Sequence, residues 1–173
     1  MALAARWIRL QTDSDAALRA AFIGFTQVQG ARSAPAVLWA RERDERFAYA
    51  LIAPLRLAPG RSRRWRAWAL APSIATYRQF GARAYLDRDE ICLSGRAIAA
   101  SEAVAVGDCA VIASSFLGRL PQANGGWTER NVLEAFRRRI EAQHGWQFDH
   151  SWPTAAERAA VGGALAVEAT GAQ

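Results

Sequence analysis

Asp89-Glu90-Ile91-Cys92-Leu93-Ser94-Gly95-Arg96-Ala97-Ile98-Ala99-Ala100-Ser101 is the stretch on which the reading of this chain turns. Two runs of strand length, residues 90–93 and 96–100, flank the pair Ser94-Gly95. A two-residue connection ending in glycine suits a tight hairpin, because such turns need positive backbone φ. Arg96 and Ala97 are neighbours on the second run, so their side chains face opposite sides unless a bulge intervenes. The stretch contains no lysine, and neither does the rest of the chain: all 22 basic residues are arginine.

Around this stretch the chain reads as one domain. Its 173 residues are 51% hydrophobic and 22% charged, which suits a globular core of ordinary size. Seven tryptophans supply large buried surfaces. No apolar run reaches the length of a membrane span, and Met1–Leu10 lacks the apolar stretch of a signal peptide. Cys92 and Cys109 lie far apart without a metal-ligand pattern and read as reduced, buried thiols of a cytoplasmic protein. His144 and His150 are the only histidines, and no carboxylate or cysteine is spaced to share a metal with them. No metal and no cofactor are therefore expected.

The net charge of +6 favours acidic partners. Arg61-Ser62-Arg63-Arg64-Trp65-Arg66 interleaves basic and aromatic residues, as nucleic-acid surfaces do, but it also suits a solvated helix start with buried tryptophans. Arg137-Arg138-Arg139 reads as the exposed face of a helix.

Working outward, Trp7–Leu10 predicts a first strand. Asp13 or Ser14 caps a helix from Asp15 to about Gln29, which Gly30 and Ser33-Ala34-Pro35 end. Residues 36–40 and 47–52 predict two strands joined by the polar turn 41–46. A helical pattern covers 60–80, with a kink or two helices expected at Pro72. Residues 82–86, 90–93, 96–100 and 110–117 predict strands. Thr128 caps a helix over 129–143, closed by His144-Gly145. A short helix and a loose tail of small residues follow Trp152-Pro153. This order predicts an α+β domain, a mixed and mostly antiparallel sheet with packed helices, over residues 1–153, and an appendage over 154–173.

The stretch 89–101 resembles the core motif of the biotin and lipoate protein ligases. That family reads Asn-Asp, about three apolar residues, a small turn, then Gly-Arg-Lys-(Ile/Val)-(Ser/Ala)-Gly-Ser. Ala97 stands where the lysine should be, Ala100 where the second glycine should be, and Asp89-Glu90 replaces Asn-Asp. At pattern level the likeness runs from about residue 7 to 150. Trp39 matches an early strand ending in Trp-Arg, Phe80-Gly81 a helix end, and Ser114–Leu117 the strand after the motif. The segment Arg41-Glu42-Arg43-Asp44-Glu45-Arg46 replaces the family's Arg- and Gly-rich loop, and Ile112-Ala113 replaces its His-Gly pair.

The resemblance implies a ligase-like fold and a ligand site that includes Asp89, Glu90, Ser94, Gly95, Arg96, Ala97 and Ser101. In the family the lysine supplies a point charge near the reacting phosphate and carbonyl. Alanine supplies none, and without glycines the 41–46 backbone cannot approach a phosphate closely. The expected function is therefore a divergent ligase-like protein without ATP-dependent ligation that binds an acyl group or an acidic lipoyl- or biotinyl-type carrier domain. One alternative is an ATP-independent octanoyl or lipoyl transferase, with Cys92 or Cys109 as nucleophile; were adenylate formation retained, Arg96 or Arg46 would do the lysine's work. Another is a basic nucleic-acid-binding protein.

Overall fold

The computed structural model describes residues 2–10, 15–28, 34–42, 45–123, 126–150 and 152–170. Nine strands and four helices alternate along them: β1 (Leu3–Arg9), α1 (Asp15–Gln27), β2 (Ala36–Arg41), β3 (Phe47–Pro54), α2 (Trp65–Gln79), β4 (Ala84–Asp87), β5 (Glu90–Leu93), β6 (Arg96–Ala100), β7 (Glu102–Val106), β8 (Cys109–Phe116), α3 (Glu129–His144), β9 (Trp146–His150) and α4 (Ala155–Thr170). Six strands form one mixed sheet in the order β7-β8-β3-β2-β1-β9, and β4-β5-β6 form a second, antiparallel sheet. In the large sheet β1 runs parallel to both β2 and β9, while the pairs from β2 to β7 are antiparallel. The α+β architecture expected from the element order is the one found.

The Ser94-Gly95 hairpin is present, with φ of 51° and 80°. Both values lie in the left-handed region, the signature of a type I′ turn between the paired residues Leu93 and Arg96. Arg88-Asp89 and Gly107-Asp108 make two further two-residue connections, so β4 to β6 and β7 to β8 are tight hairpins. The sequence reading missed β7, because Glu102-Ala103-Val104-Ala105-Val106 is an edge strand of small residues. The run Trp146-Gln147-Phe148, after the helix that Gly145 closes, begins β9.

Pro72 does not split α2, which is one helical element from Trp65 to Gln79. Its missing N–H weakens one turn, but the helix is fixed by burial of Trp65, Ala69, Leu70, Pro72 and Tyr77. Thr128 caps α3 as expected, accepting from the Asn131 N–H, and Gly145 closes it at φ 68°. The Asp13 or Ser14 cap and the Gly30 stop fall outside the described residues. In the C-terminal segment, Thr154 and Glu157 form a capping box at the start of α4. The Thr154 N–H donates to Glu157 Oε2 at 2.7 Å, and the Glu157 N–H to Thr154 Oγ1 at 3.2 Å.

The large sheet carries a different core on each face. One face sets Trp7, Tyr49, Phe116 and Phe148 against α2 and α3 with the small sheet. The other sets Ile8, Leu38, Ala48, Ala50 and Ile52 against α1, with Val161 of α4 at its margin. Buried Glu157 fastens α4 to β1 by a two-point ion pair with Arg6, at 2.5 and 3.0 Å.

Candidate functional site

Small side chains on the second face leave a cleft under α1. Ala48, Ala113 and Ser115 form its floor, with Phe22 and Arg19 of α1 above them. Their alternation with bulkier residues follows from the strand period: residues 48, 113 and 115 point to one face while 49, 112 and 116 point to the other. Ala100 and Ser114 complete one half of the cleft with Glu42 and Arg46, enclosing about 340 Å³. The other half, about 280 Å³, is more apolar: Phe22, Ile23, Ala103, Val104, Val111 and Ala113 line it, with Arg66 at its rim. Arg19, Phe22, Glu102 and Ala113 line both halves. The Arg19–Glu102 ion pair, at 2.6 Å between half-exposed side chains, therefore stands between the two compartments.

Arg46 is built into the polar half. Its Nη1 donates to the Ile98 carbonyl at 2.9 Å and lies 3.5 Å from Ser115 Oγ. The Ile98 carbonyl is available because β6 is irregular there. Ile91 pairs with Ala99 and Cys92 with Ala97, which leaves Ile98 as the extra residue of a bulge. Arg46 thus crosslinks the large sheet to the small one at the mouth of the cleft. Ser114 Oγ adds a second bridge by donating to the Ala100 carbonyl at 3.0 Å.

Beneath the cleft floor the polar groups are satisfied and inert. Tyr49 Oη bonds Ser73 Oγ, and burial pushes its phenol well above the ordinary range against that bond and one from Ser114. Tyr77 Oη accepts from the Leu117 N–H at 2.9 Å, and burial raises its phenol too. Both tyrosines stay protonated at neutral pH and act as struts.

The sequence-predicted site residues divide into two groups. Asp89 and Ser101 lie where the small sheet meets the cleft: the Asp89 carbonyl accepts from the Ser101 N–H at 2.7 Å and from its Oγ at 2.6 Å. Ser101 is buried between Ala100 and Glu102, both cleft residues. The Asp89 carboxylate pairs with Arg66 at 3.2 Å. Glu90, Ser94, Gly95, Arg96 and Ala97 are exposed on the outer hairpin and do not line either half. Arg96 and Ala97 pair with Leu93 and Cys92 in regular alternation, since the bulge comes after them.

Neither cysteine lines the cleft among the described residues. Cys109 is fully buried at the start of β8. Cys92 sits in β5, where desolvation and then the Asp87 and Glu90 carboxylates push its thiol up, away from the reactive thiolate. The described residues contain no cluster of three or more His, Cys, Asp or Glu able to hold a metal. No helix among them is long and apolar enough to cross a membrane.

The sequence reading passed over Arg19, Phe22, Ala48, Glu102, Val111 and Ala113 as site residues. A signal for some of them existed. Ala48, Ala50 and Ala113 recur at period two on core strands, where bulkier β-branched residues are the usual filling. The segment 41–46 and the pair 112–113, singled out for departing from the ligase pattern, both reach this cleft through Glu42, Arg46 and Ala113.

No family model matches the sequence, and no curated protein matches it. Solved structures do match. A bipartite lipoate protein ligase from Thermoplasma acidophilum, analysed with its E2 lipoyl domain, superposes with a TM-score of 0.74 over 95% of this chain and 92% of its own at 10% identity. A candidate lipoate protein ligase of T. acidophilum with bound lipoic acid gives 0.76 over 95% and 96%, also at 10% identity. Biotin protein ligase from Aquifex aeolicus gives 0.54 over 83% of this chain and 70% of its own at 11% identity. At such low identities the likeness is one of architecture, and on that ground the chain has the fold of the biotin and lipoate protein ligase catalytic domain.

Proposed function

We propose that this ligase-fold protein binds an acyl group, as a free carboxylic acid or on a carrier domain, and does not activate it with ATP. The observation that carries the reading is the two-part cleft. One compartment suits an apolar chain; the other is lined by the guanidinium groups of Arg19 and Arg46, which can add a carboxylate or thioester oxygen to the partners they already hold. Burying an apolar tail contributes about 0.8 kcal/mol per methylene, and a charge-assisted hydrogen bond orients the head group.

Adenylate formation asks for more. The carboxylate oxygen must attack the α-phosphorus while pyrophosphate leaves, and the charge that develops there needs preorganised donors. A glycine-lined backbone at 41–46 and a lysine at 97 would supply them. Glu42 and Glu45 stand in the first place instead, and exposed Ala97 in the second.

Calorimetric titration with octanoate and pyrophosphate exchange with octanoate, lipoate or biotin test the two halves of the proposal. Saturable octanoate binding is expected, weakened roughly tenfold or more by Arg46→Ala, since a hydrogen bond to a charged group contributes about 1.5–3 kcal/mol. No acid-dependent exchange is expected. Exchange above background would overturn the ATP half, and absence of binding by any of the three acids would overturn the acyl half.

A further inference from the structure

The two arginine-rich segments singled out in the sequence have opposite fates. In the C-terminal one, Arg137 and Arg138 both bind Glu134, at 3.1 and 2.9 Å, and Arg139 donates to Gln79 Oε1 at 3.1 Å. That cluster keeps a net positive charge, because one carboxylate serves two guanidiniums and Gln79 is uncharged, but each of its side chains is tied to its own surface. In the other, Arg61, Arg63 and Arg64 are all exposed, and no carboxylate pairs with any of them among the described residues. They sit on and beside a single 3-10 turn, Ser62–Arg64, closed by the Arg64 N–H donating to the Arg61 carbonyl at 2.9 Å. The turn holds three like charges within four residues, an arrangement that costs self-repulsion and calls for an anionic partner.

This ridge adjoins the cleft. Two residues further on, Arg66 is tied to Asp89 at 3.2 Å and lines the rim of the apolar compartment. Whatever binds the ridge is held at the mouth of the cleft. The aromatic residue of the segment points the other way: Trp65 is buried, and its Nε1 donates to the Pro59 carbonyl at 2.8 Å. Among the described residues the exposed aromatic rings are Tyr85 of β4 and Trp152, both outside the 61–66 segment. The large apolar side chain exposed in the same loop is aliphatic Leu55. Single-stranded nucleic acid is held by aromatic stacking as well as charge, and the ridge offers only the charge. An acidic protein surface asks for no stacking, and Leu55 adds an apolar contact to it.

We infer that the Arg61–Arg64 ridge is the docking surface for an acidic carrier domain, placed so that an acyl arm on that domain reaches the cleft over Arg66. The inference rests on the acyl-binding reading for what the arm does, and on the ridge alone for where the domain sits. Clustered unpaired charge at an interface rim acts mainly on encounter rate and salt dependence.

The test measures binding of the full chain to an E2 lipoyl domain, unmodified and octanoylated, at about 0.15 M ionic strength. Short single-stranded and duplex DNA run in parallel, and free octanoate serves as a separate probe of the cleft. The triple variant Arg61→Ala/Arg63→Ala/Arg64→Ala is expected to bind the octanoylated domain about tenfold more weakly or worse, through a slower association rate. Its octanoate affinity and melting temperature should match the wild type. The charge-keeping triple Arg61→Lys/Arg63→Lys/Arg64→Lys should bind within a few-fold of wild type, and Arg137→Ala/Arg138→Ala should change little. Carrier binding that is undetectable, or that survives the alanine triple, overturns the docking surface whatever octanoate does. DNA binding tighter than carrier binding and lost in the alanine triple also overturns it, in favour of nucleic acid. Ridge-dependent carrier binding with no octanoate binding leaves the docking surface standing and removes the acyl reading.

Discussion

The two faces of the large sheet are filled by different chemistry. On the face under α2 and α3, aromatic rings interlock: Phe136 lies 4.7 Å from Tyr49, 5.0 Å from Phe116 and 6.1 Å from Trp7, and Tyr77 stacks on Trp127 at 5.0 Å. On the face under α1 and α4, aliphatic and alanine side chains dominate, and the floor thins to Ala48 and Ala113 where the cleft opens. Large rings bury much area where they interlock. Small residues give up that area and leave room. The difference teaches how each face holds its space: the aromatic face interlocks its rings and keeps a groove of about 790 Å³ beside Trp7, Trp39 and α3, whereas the aliphatic face opens at its own alanine floor.

Four substitutions press on this comparison. Phe136→Ala removes the ring at the centre of the aromatic face. It should cost about 3–5 kcal/mol in denaturant unfolding and exceed Leu38→Ala on the aliphatic face, since edge and tilted ring pairs add about 0.5–1.5 kcal/mol each beyond area. Equal losses from the two variants would erase the distinction drawn between the faces.

Glu157→Gln tests what holds the second face closed. Glu157 is buried and Arg6 only slightly exposed, so leaving that guanidinium without its carboxylate should cost about 3 kcal/mol. Burial alone would raise the Glu157 carboxyl. Hydrogen bonds from Arg6 and the Thr154 N–H, with the Arg6 charge, outweigh burial and hold it below the usual carboxylate value of 4.5. A folded-state value below the unfolded one stabilises the protein above the unfolded value and loses that contribution as pH falls through the folded one. The gap between wild type and Glu157→Gln should therefore be constant from neutral pH down to about 4.5 and shrink at lower pH. A gap that stays constant to pH 2 would show that the pair contributes nothing through its charge.

The smallest stability effect belongs to the cleft. Ala113→Leu places a branched side chain where both compartments meet. It should abolish octanoate binding while moving stability by no more than about 1 kcal/mol, because it fills space instead of displacing neighbours. A large destabilisation would mean that this face is as tightly packed as the aromatic one.

Local chemistry made parts of this structure legible in advance. The Ser94-Gly95 turn, the Thr128 cap and the Gly145 stop each follow from residues within a few positions of one another. The Thr154-Ala155-Ala156-Glu157 capping box was equally local and went unread, because the small residues after it lack an apolar stripe. Strand β7 was illegible for a different reason: as an exposed edge it needs little side-chain bulk. The continuity of α2 through Pro72 is settled by packing from outside the helix, which no local signal carries. The site was the least legible region. Of the motif 89–101, Asp89 and Ser101 lie beside the cleft, which is itself assembled from α1, β3, β7 and β8, segments up to about a hundred residues apart in the chain. What brings them together is sheet order, and sheet order is not written at any one position.

The position of β1 bears on how the molecule is made. Its seven residues near the N-terminus lie between β2 and β9, and its pairing with β9 joins Leu3 to Trp146 and Trp7 to His150. During synthesis, one edge of β1 stays unpaired until residue 150 has left the ribosome, and the Arg6 side chain waits longer still for Glu157. Contacts of such long sequence separation slow folding, and an open apolar strand edge invites pairing with other nascent chains in the interval. The alanine-rich Leu3–Ala5 start of that edge is the segment most exposed to this hazard.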